Sequence, residues 1–293
     1  MIYSNCLIHI ESGKITMKKI TDRIIEKFKR YLINEEKSDS TIDKYIRDVR
    51  TFAKWLDGNI TKEDVLLYKK EIISKYAPAS CNAIISSLNS FFVFSNCGYL
   101  KIKAIKIQKQ IYIKKENELT KLEYERLLTF ADERLYLIMQ TICSSGIRVS
   151  ELKFITGESV RNRKAIIDCK GKIREVFLPK KLCKMLSAYI KKKKLIKGSI
   201  FITKKGKPLD RSNIWRMLKN LCEKANVDKN KVFPHNLRHL FARTFYKMHK
   251  DIVRLADILG HSSINTTRIY TMETSEIGMR LIENLGLIKK YTT

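Results

Sequence analysis

Apolar residues recur at three- and four-residue spacing along much of the chain. Between residues 20 and 33 they are Ile24, Ile25, Phe28, Tyr31 and Leu32, the pattern of one face of an amphipathic helix. The stretch STIDKYIRDVRTFAKWLDG repeats it with Ile42, Tyr45, Ile46, Val49, Phe52, Ala53 and Leu56, opened by Ser40 or Thr41 as a cap and closed by Gly58. A third helix is predicted from Thr61, with acids in its first turn. A fourth runs from about Ser80 through NAIISSLNSFFVF to a stop near Gly98. Together they make one helical domain, residues 17–100. The opening residues 1–16 match nothing that follows and read as an extension. In residues 101–118, KIKAIKIQKQIYIKKENE, the helical period is lost, lysines recur and no cap is present, so this segment reads as a basic linker.

A second domain, residues 119–293, opens with a capping box from Thr120 to Glu123 ahead of the apolar LLTFADERLYLIMQTIC. The period then shortens. AIIDC (165–169) and REVFLP (174–179) are short strands around KGKI, a tight turn with a lysine on each side of its glycine. SIFITKKGKPLD reads as a further strand and turn, and helices are predicted near 181–194, 211–225, 235–249 and 252–259. The lysine run 191–194 reads as a solvated helix face. Near the end, Ile277, Met279, Leu281, Ile282, Leu285 and Leu287 keep helical spacing; this tail helix could dock on a neighbouring copy or pack on its own domain. The expected fold is therefore mainly α with a small antiparallel β-sheet, in two domains.

Charge changes the picture. The formal net charge is +29, with most of the excess in residues 121–293, while 44% hydrophobic content is enough to fill real cores. A field of that size recruits a polyanion. Because the basic residues are scattered through folded-looking segments, nucleic acid fits better than a membrane surface. No run of 18 apolar residues and no signal-peptide order appears, so a cytoplasmic location is expected. Seven cysteines, at 6, 81, 97, 143, 169, 183 and 222, form an odd set without C-x-x-C. That indicates neither a disulfide framework nor a zinc ribbon, and reduced, mostly buried thiols are expected.

Groups able to handle a phosphate appear in the second domain in a fixed order. They are SGIRVSEL with Arg148 and Glu151, CKGKIREVFLP with Lys170, HNLRH with His235, Arg238 and His239, LGHSS with His261, and Tyr270 nine residues on. Over roughly residues 20–285 this ordered set resembles the tyrosine site-specific recombinases. The resemblance implies a helical, SAM-like core-binding DNA domain joined to a mixed α/β catalytic domain. The activity it implies is cleavage and rejoining of DNA through a 3′-phosphotyrosyl intermediate and a Holliday junction, by four protomers on two synapsed sites.

The chemistry accounts for the residue types. Attack on a phosphodiester spreads negative charge over the equatorial oxygens, and fixed guanidinium forks at Arg148 and Arg238 suit that charge. A tyrosine with a pKa of about 10 is almost wholly neutral at pH 7, so Tyr270 needs a base, for which His235 is the candidate. The 5′-oxygen leaving group needs a proton. Lys170 on the hairpin would supply it as the family's lysine does, with Lys172 across the same turn as the alternative, because the family has a glycine where this chain has Cys169. His261 would donate to a non-bridging oxygen. Glu151 would orient Arg148, and His239 would pack behind the site. Since bond energy is kept in the phosphotyrosyl ester, neither metal nor cofactor is expected. His235 and His239 have a zinc-like spacing, but no third ligand follows at suitable spacing and Arg238 lies between them.

The expected partner is double-stranded DNA with an inverted-repeat core site, bound by a homotetramer, with no membrane and no small-molecule substrate. Residues 1–16 are too few for the extra arm-binding domain of larger integrases. Two other readings stay open: a type IB topoisomerase-like relaxase, and a non-catalytic DNA-binding regulator of the same fold.

Overall fold

The computed structural model describes residues 8–11, 14–17, 19–56, 58–107, 118–169, 172–195, 197–271, 279–280 and 282–287. The chain divides into two compact units, Met1–Lys109 and Gln110–Thr293.

In the first unit, β1 (Ile8–Glu11) and β2 (Lys14–Met17) form an antiparallel pair with Ile8 opposite Met17. The sequence reading put no element in this extension, since strands of four residues are too short to set up a period. Four helices follow: α1 (Asp22–Asn34), α2 (Asp39–Trp55), α3 (Lys62–Lys75) and α4 (Pro78–Phe94). Their apolar faces meet in one core that includes Phe28, Leu32, Val49, Phe52, Val65, Leu88, Phe91 and Phe92. Phe28 meets Phe91 edge to face at 5.2 Å, a geometry that aromatic pairs favour. Helix α3 starts after Thr61 as expected, with Thr61 and Asp64 capping it reciprocally. The capping residue of α2 is Ser38 rather than Ser40 or Thr41. Helix α4 starts two residues early because Pro78 fits the first helical position.

The start of the expected linker is bound to α4. Asn89 accepts from the Ile102 N–H (3.0 Å) and donates to its carbonyl (2.9 Å), and Asn82 does the same for Ile105. Ile102 is buried in the helical core. These two amides stand in for a missing strand partner. Residues 108–117 lie outside the described residues.

The second unit contains α5 (Lys121–Phe130), α6 (Glu133–Ser145), α7 (Gly157–Arg161), β3 (Lys164–Cys169), β4 (Lys172–Phe177), α8 (Lys180–Lys193), α9 (Arg211–Lys224), α10 (Pro234–His249), α11 (Ile252–Leu259) and α12 (Ile264–Thr267). The apolar run after the Thr120 capping box is two helices, because Asp132 accepts from the Leu135 N–H at 2.7 Å and starts α6 afresh. Strands β3 and β4 pair antiparallel from Lys164↔Phe177 to Cys169↔Lys172; positions 170 and 171 lie outside the described residues. SIFITKKGKPLD forms only two isolated bridges, Thr156↔Ser199 and Ile202↔Pro208. Residues 191–194 are exposed, with Lys192 paired to Glu133 at 2.9 Å. The core contains Ile138, Ile142, Leu152, Ile155, Leu186, Phe201, Leu218 and Leu237. Cysteines 81, 97, 143, 183 and 222 form no disulfide. Among the described residues no helix is long and apolar enough to cross a membrane.

A candidate phosphate site

Three short pieces of backbone converge in the second unit: the end of α6, the end of α11 and the first turns of α10. Helix α6 ends at Gly146 in the left-handed region (φ 65°). A Cβ there would stand 2.6 Å from the Phe241 ring on α10, so only glycine lets the two helices close on each other. The 3₁₀ segment Val149–Phe154 follows, with Arg148 at its head. Helix α11 ends at Gly260, again left-handed (φ 62°).

Arg238 is 1% exposed and the largest fully buried side chain among the described residues. It donates from Nη1 to the carbonyl of Gly146 and from Nη2 to the carbonyl of Leu259 at 2.6 Å. The same Nη2 lies 3.2 Å from His261 Nε2. Burial, followed by the neighbouring guanidiniums of Arg148 and Arg174, lowers its pKa to about 10, which still leaves it charged at neutral pH. Arg148 is more open, with a side chain 38% exposed. It donates to Glu151 Oε1 at 3.0 Å and to the Gly260 carbonyl at 3.1 Å. Glu151 is buried and also accepts the backbone N–H of Arg148 at 2.9 Å. Burial pushes its carboxyl up, but that N–H and the guanidiniums of Arg174 and Arg148 outweigh it, so the group stays below its ordinary value.

Hydrogen bonding fixes the His261 tautomer. A guanidinium only donates, so Nε2 facing Arg238 is the acceptor, and Nδ1–H donates to Thr267 Oγ1 at 2.8 Å. Burial first, then Arg238, Arg148 and Arg174, hold its pKa at about 4. Donation from Nε2 to a phosphate, the role expected from sequence, therefore requires it to take up a proton. An anionic phosphate beside it favours that uptake.

Tyr270 lies in a 3₁₀ turn after α12, 5% exposed, packed with Leu255, Leu259 and Ala242. Its ring stacks on His261 at 6.5 Å and meets His239 edge to face at 5.1 Å. Burial raises its pKa, opposed by the guanidiniums of Arg238, Arg243 and Arg148. His239 in turn contacts His235 at 4.3 Å. His239 Nε2 is buried with no hydrogen-bond partner among the described residues, and burial, His235 and Arg243 drive its pKa to about 3. His235 is exposed at the first turn of α10. Desolvation of its ring, then Arg238, Arg148 and Arg211, lower its pKa from the ordinary value.

These shifts fix how stability depends on pH. A histidine with a depressed folded pKa binds fewer protons than in the unfolded chain, so its contribution is complete above 6.5 and is lost as pH falls toward 4 at His261 and 3 at His239. The melting temperature is expected to drop as pH falls through that window, and less steeply in His239→Gln. Equal slopes by scanning calorimetry would remove His239 as a source.

Arg148, Arg238, His261 and Tyr270 are thus brought together, with Glu151 beneath Arg148 and His235 and His239 along α10. Lys170 lies outside the described residues, and Lys172 is described only as backbone of β4. Two residues escaped the sequence reading. Arg174 on β4 donates to Glu151 Oε2 at 2.6 Å. Arg243 on α10 pairs with Glu118 at 3.1 Å and donates to the Leu119 carbonyl at 3.1 Å. Among the described residues no group of three histidines, cysteines or carboxylates could hold a metal.

Comparisons with known proteins place the chain in a family. Residues 117–276 match the phage integrase family, and residues 25–96 match the phage integrase N-terminal SAM-like domain. Tyrosine recombinase XerA of Thermococcus kodakarensis is 29% identical over 282 residues, covering 92% of this chain and 97% of the relative. A crystal structure of XerA recombinase aligns with a TM-score of 0.50 at 26% identity, over 92% of this chain and 100% of the other. A segment of lambda integrase, solved as a dimer bound to a COC′ core site, shares the fold with a TM-score of 0.70 at 16% identity, over 94% and 99% of the two chains.

Proposed function

The chain belongs to the phage integrase family and is a tyrosine recombinase, and from that premise we propose that Tyr270 cleaves duplex DNA by forming a 3′-phosphotyrosyl ester. The phenol oxygen bonds to phosphorus, the bond from phosphorus to the 5′-oxygen breaks, and a 5′-hydroxyl leaves. Attack by a new 5′-hydroxyl reverses these steps and releases Tyr270. Two rounds pass through a Holliday junction. The energy of the broken ester is kept in the new one, so the cycle needs no external energy source.

The observation that carries this reading is the convergence of Arg148, Arg238 and His261 on the end of α11, 112 residues beyond Arg148 in the chain, with Tyr270 against His261. Arg148 presents the open fork, and Arg238 is a fixed positive centre behind it; both meet charge that grows during attack. His235 is the base. Its depressed pKa leaves it unprotonated at neutral pH, whereas His239, at about 3, is too weak a base to take a phenol proton. Lys170 is the acid for the 5′-oxygen. Lys170→Ala is expected to slow cleavage of an ordinary phosphodiester and to be largely rescued by a bridging 5′-sulfur, which leaves without a proton. If the bridging sulfur rescues Lys172→Ala instead, the acid is Lys172.

The DNA partner is a core site of inverted half-sites set by the helical repeat, bound in the cytoplasm at the nucleoid by four protomers. Met279, Ile282, Leu285 and Leu287 of the tail are exposed, which supports contact between neighbouring copies; positions 277 and 281 lie outside the described residues. The function is tested on two plasmids, one carrying paired sites and one lacking them. Exchange between paired sites is expected. Relaxation of the site-free plasmid would indicate a relaxase, and binding without breakage a regulator.

A further inference from the structure

The last carbonyls of α11 have no partner within the helix and form its negative end. Those of Ala256 and Asp257 accept from the N–H groups of His261 (3.0 Å) and Gly260 (2.9 Å). The next three each hold one guanidinium: Ile258 accepts from Arg174 Nη1 at 2.8 Å, Leu259 from Arg238 at 2.6 Å, and Gly260 from Arg148 at 3.1 Å. The other arm of Arg174, Nη2, reaches Glu151 Oε2 at 2.6 Å, while Oε1 of the same carboxylate holds Arg148 at 3.0 Å. The result is a closed circuit from Arg174 through Glu151 and Arg148 to Gly260 and back along the backbone to Ile258.

The circuit is built around a glycine. A Cβ at Gly260 would collide with Arg174 Cδ and stand 2.7 Å from its Nε, at a φ of 62° that side chains rarely adopt. The two outer arginines differ in access: the Arg174 side chain is 15% exposed and the Arg148 side chain 38%. Arg174 is therefore the more enclosed of the two and Arg148 the more open.

We infer that Arg174 is a positioning residue that keeps the Arg148 fork open for phosphate by occupying the second oxygen of Glu151. A carboxylate with both oxygens open to one arginine draws it into a bidentate pair, which would take the N–H groups that a phosphate needs. Oε2 already accepts the backbone N–H of Arg148 at 2.9 Å; with its remaining lone pair engaged by Arg174, Glu151 holds the Arg148 guanidinium through Oε1 alone. Arg174 also ties β4 to the segment carrying His261, so the two walls of the site move as one.

This rests on the phosphotyrosyl reading above, and its test uses covalent adduct formation on a nicked suicide duplex at saturating DNA. Arg174→Met is expected to slow adduct formation by about 100-fold, the scale of a misplaced catalytic group, with duplex affinity within about twofold, since the residue reaches no phosphate. Adding Glu151→Gln, which removes the charge that captures Arg148, is expected to restore about tenfold of that loss. A merely structural arginine would give a double variant as slow as, or slower than, Arg174→Met, and that result overturns the inference, as does Arg174→Met at the wild-type rate. Should the methionine variant not fold, Arg174→Lys carries the test: it keeps a cation on Oε2, so a loss below about tenfold, with no rescue by Glu151→Gln, is expected. A larger loss, or rescue, overturns it. Wild-type protein that forms no adduct refutes the phosphotyrosyl reading itself, and this inference falls with it.

Discussion

Tyr270→Phe is expected to bind duplex DNA as tightly as the wild type, within about twofold, because the cations that meet phosphates are untouched, and to form no covalent adduct at all. The substitution keeps the ring packing that the fold uses. The ring packs with Leu255 and Leu259, stacks on His261 and meets His239 edge to face, and phenylalanine can make each of these contacts. It removes only the oxygen that bonds to phosphorus. The hydroxyl also shares a side-chain hydrogen bond with Arg238, so its loss is expected to cost the unit about 1 kcal/mol while leaving it folded. Gel-shift affinity and adduct yield, read on one preparation well below its melting temperature, separate the two roles. Adduct persisting in the variant would take the nucleophile away from Tyr270.

Arg238→Lys is the second large effect, and it should fall on fold and chemistry together. Lysine keeps the charge, but a single ammonium cannot reach the Gly146 carbonyl, the Leu259 carbonyl and His261 Nε2 as the fork does. Leaving buried acceptors unmet is expected to cost about 2 kcal/mol of stability. Loosening the fixed positive centre behind the phosphate site, and the His261 it holds, should slow cleavage by about 1000-fold. Arg148→Lys provides the contrast: with a side chain 38% exposed, it should impair cleavage with little change in melting temperature. Similar melting losses in both variants would contradict the assignment of Arg238 as the buried anchor and Arg148 as the open fork.

The helical faces were legible because their apolar positions carry the period over several turns; Phe28, Phe52 and Leu88 are all buried as that period requires. What escaped was local or non-local. The β1–β2 hairpin is too short to show a period. The break at Asp132 sits inside an apolar run that reads as continuous until the carboxylate is seen capping α6. In the site, Glu151 lies three residues from Arg148, and helical spacing alone pairs them. Arg174 lies 23 residues from Glu151, on a strand that only the fold brings near. A signal was nevertheless present. Opposite Arg174 stands Ile167, and Ile167, Ala165 and Val176 are all buried, so strict alternation puts an arginine on the apolar face of β4, while Ile173 and Phe177 point outward. A charged residue on the wrong face of a short strand marks a buried partner.

The most direct measurement is to trap the adduct on a nicked suicide duplex, digest the protein and locate the retained nucleotide by mass spectrometry. The nucleotide is expected on the peptide containing Tyr270, joined to the phenol oxygen through a 3′-phosphate. A nucleotide on any other residue, linkage through a 5′-phosphate, or no adduct at all from a protein that binds its site would contradict strand transfer by Tyr270.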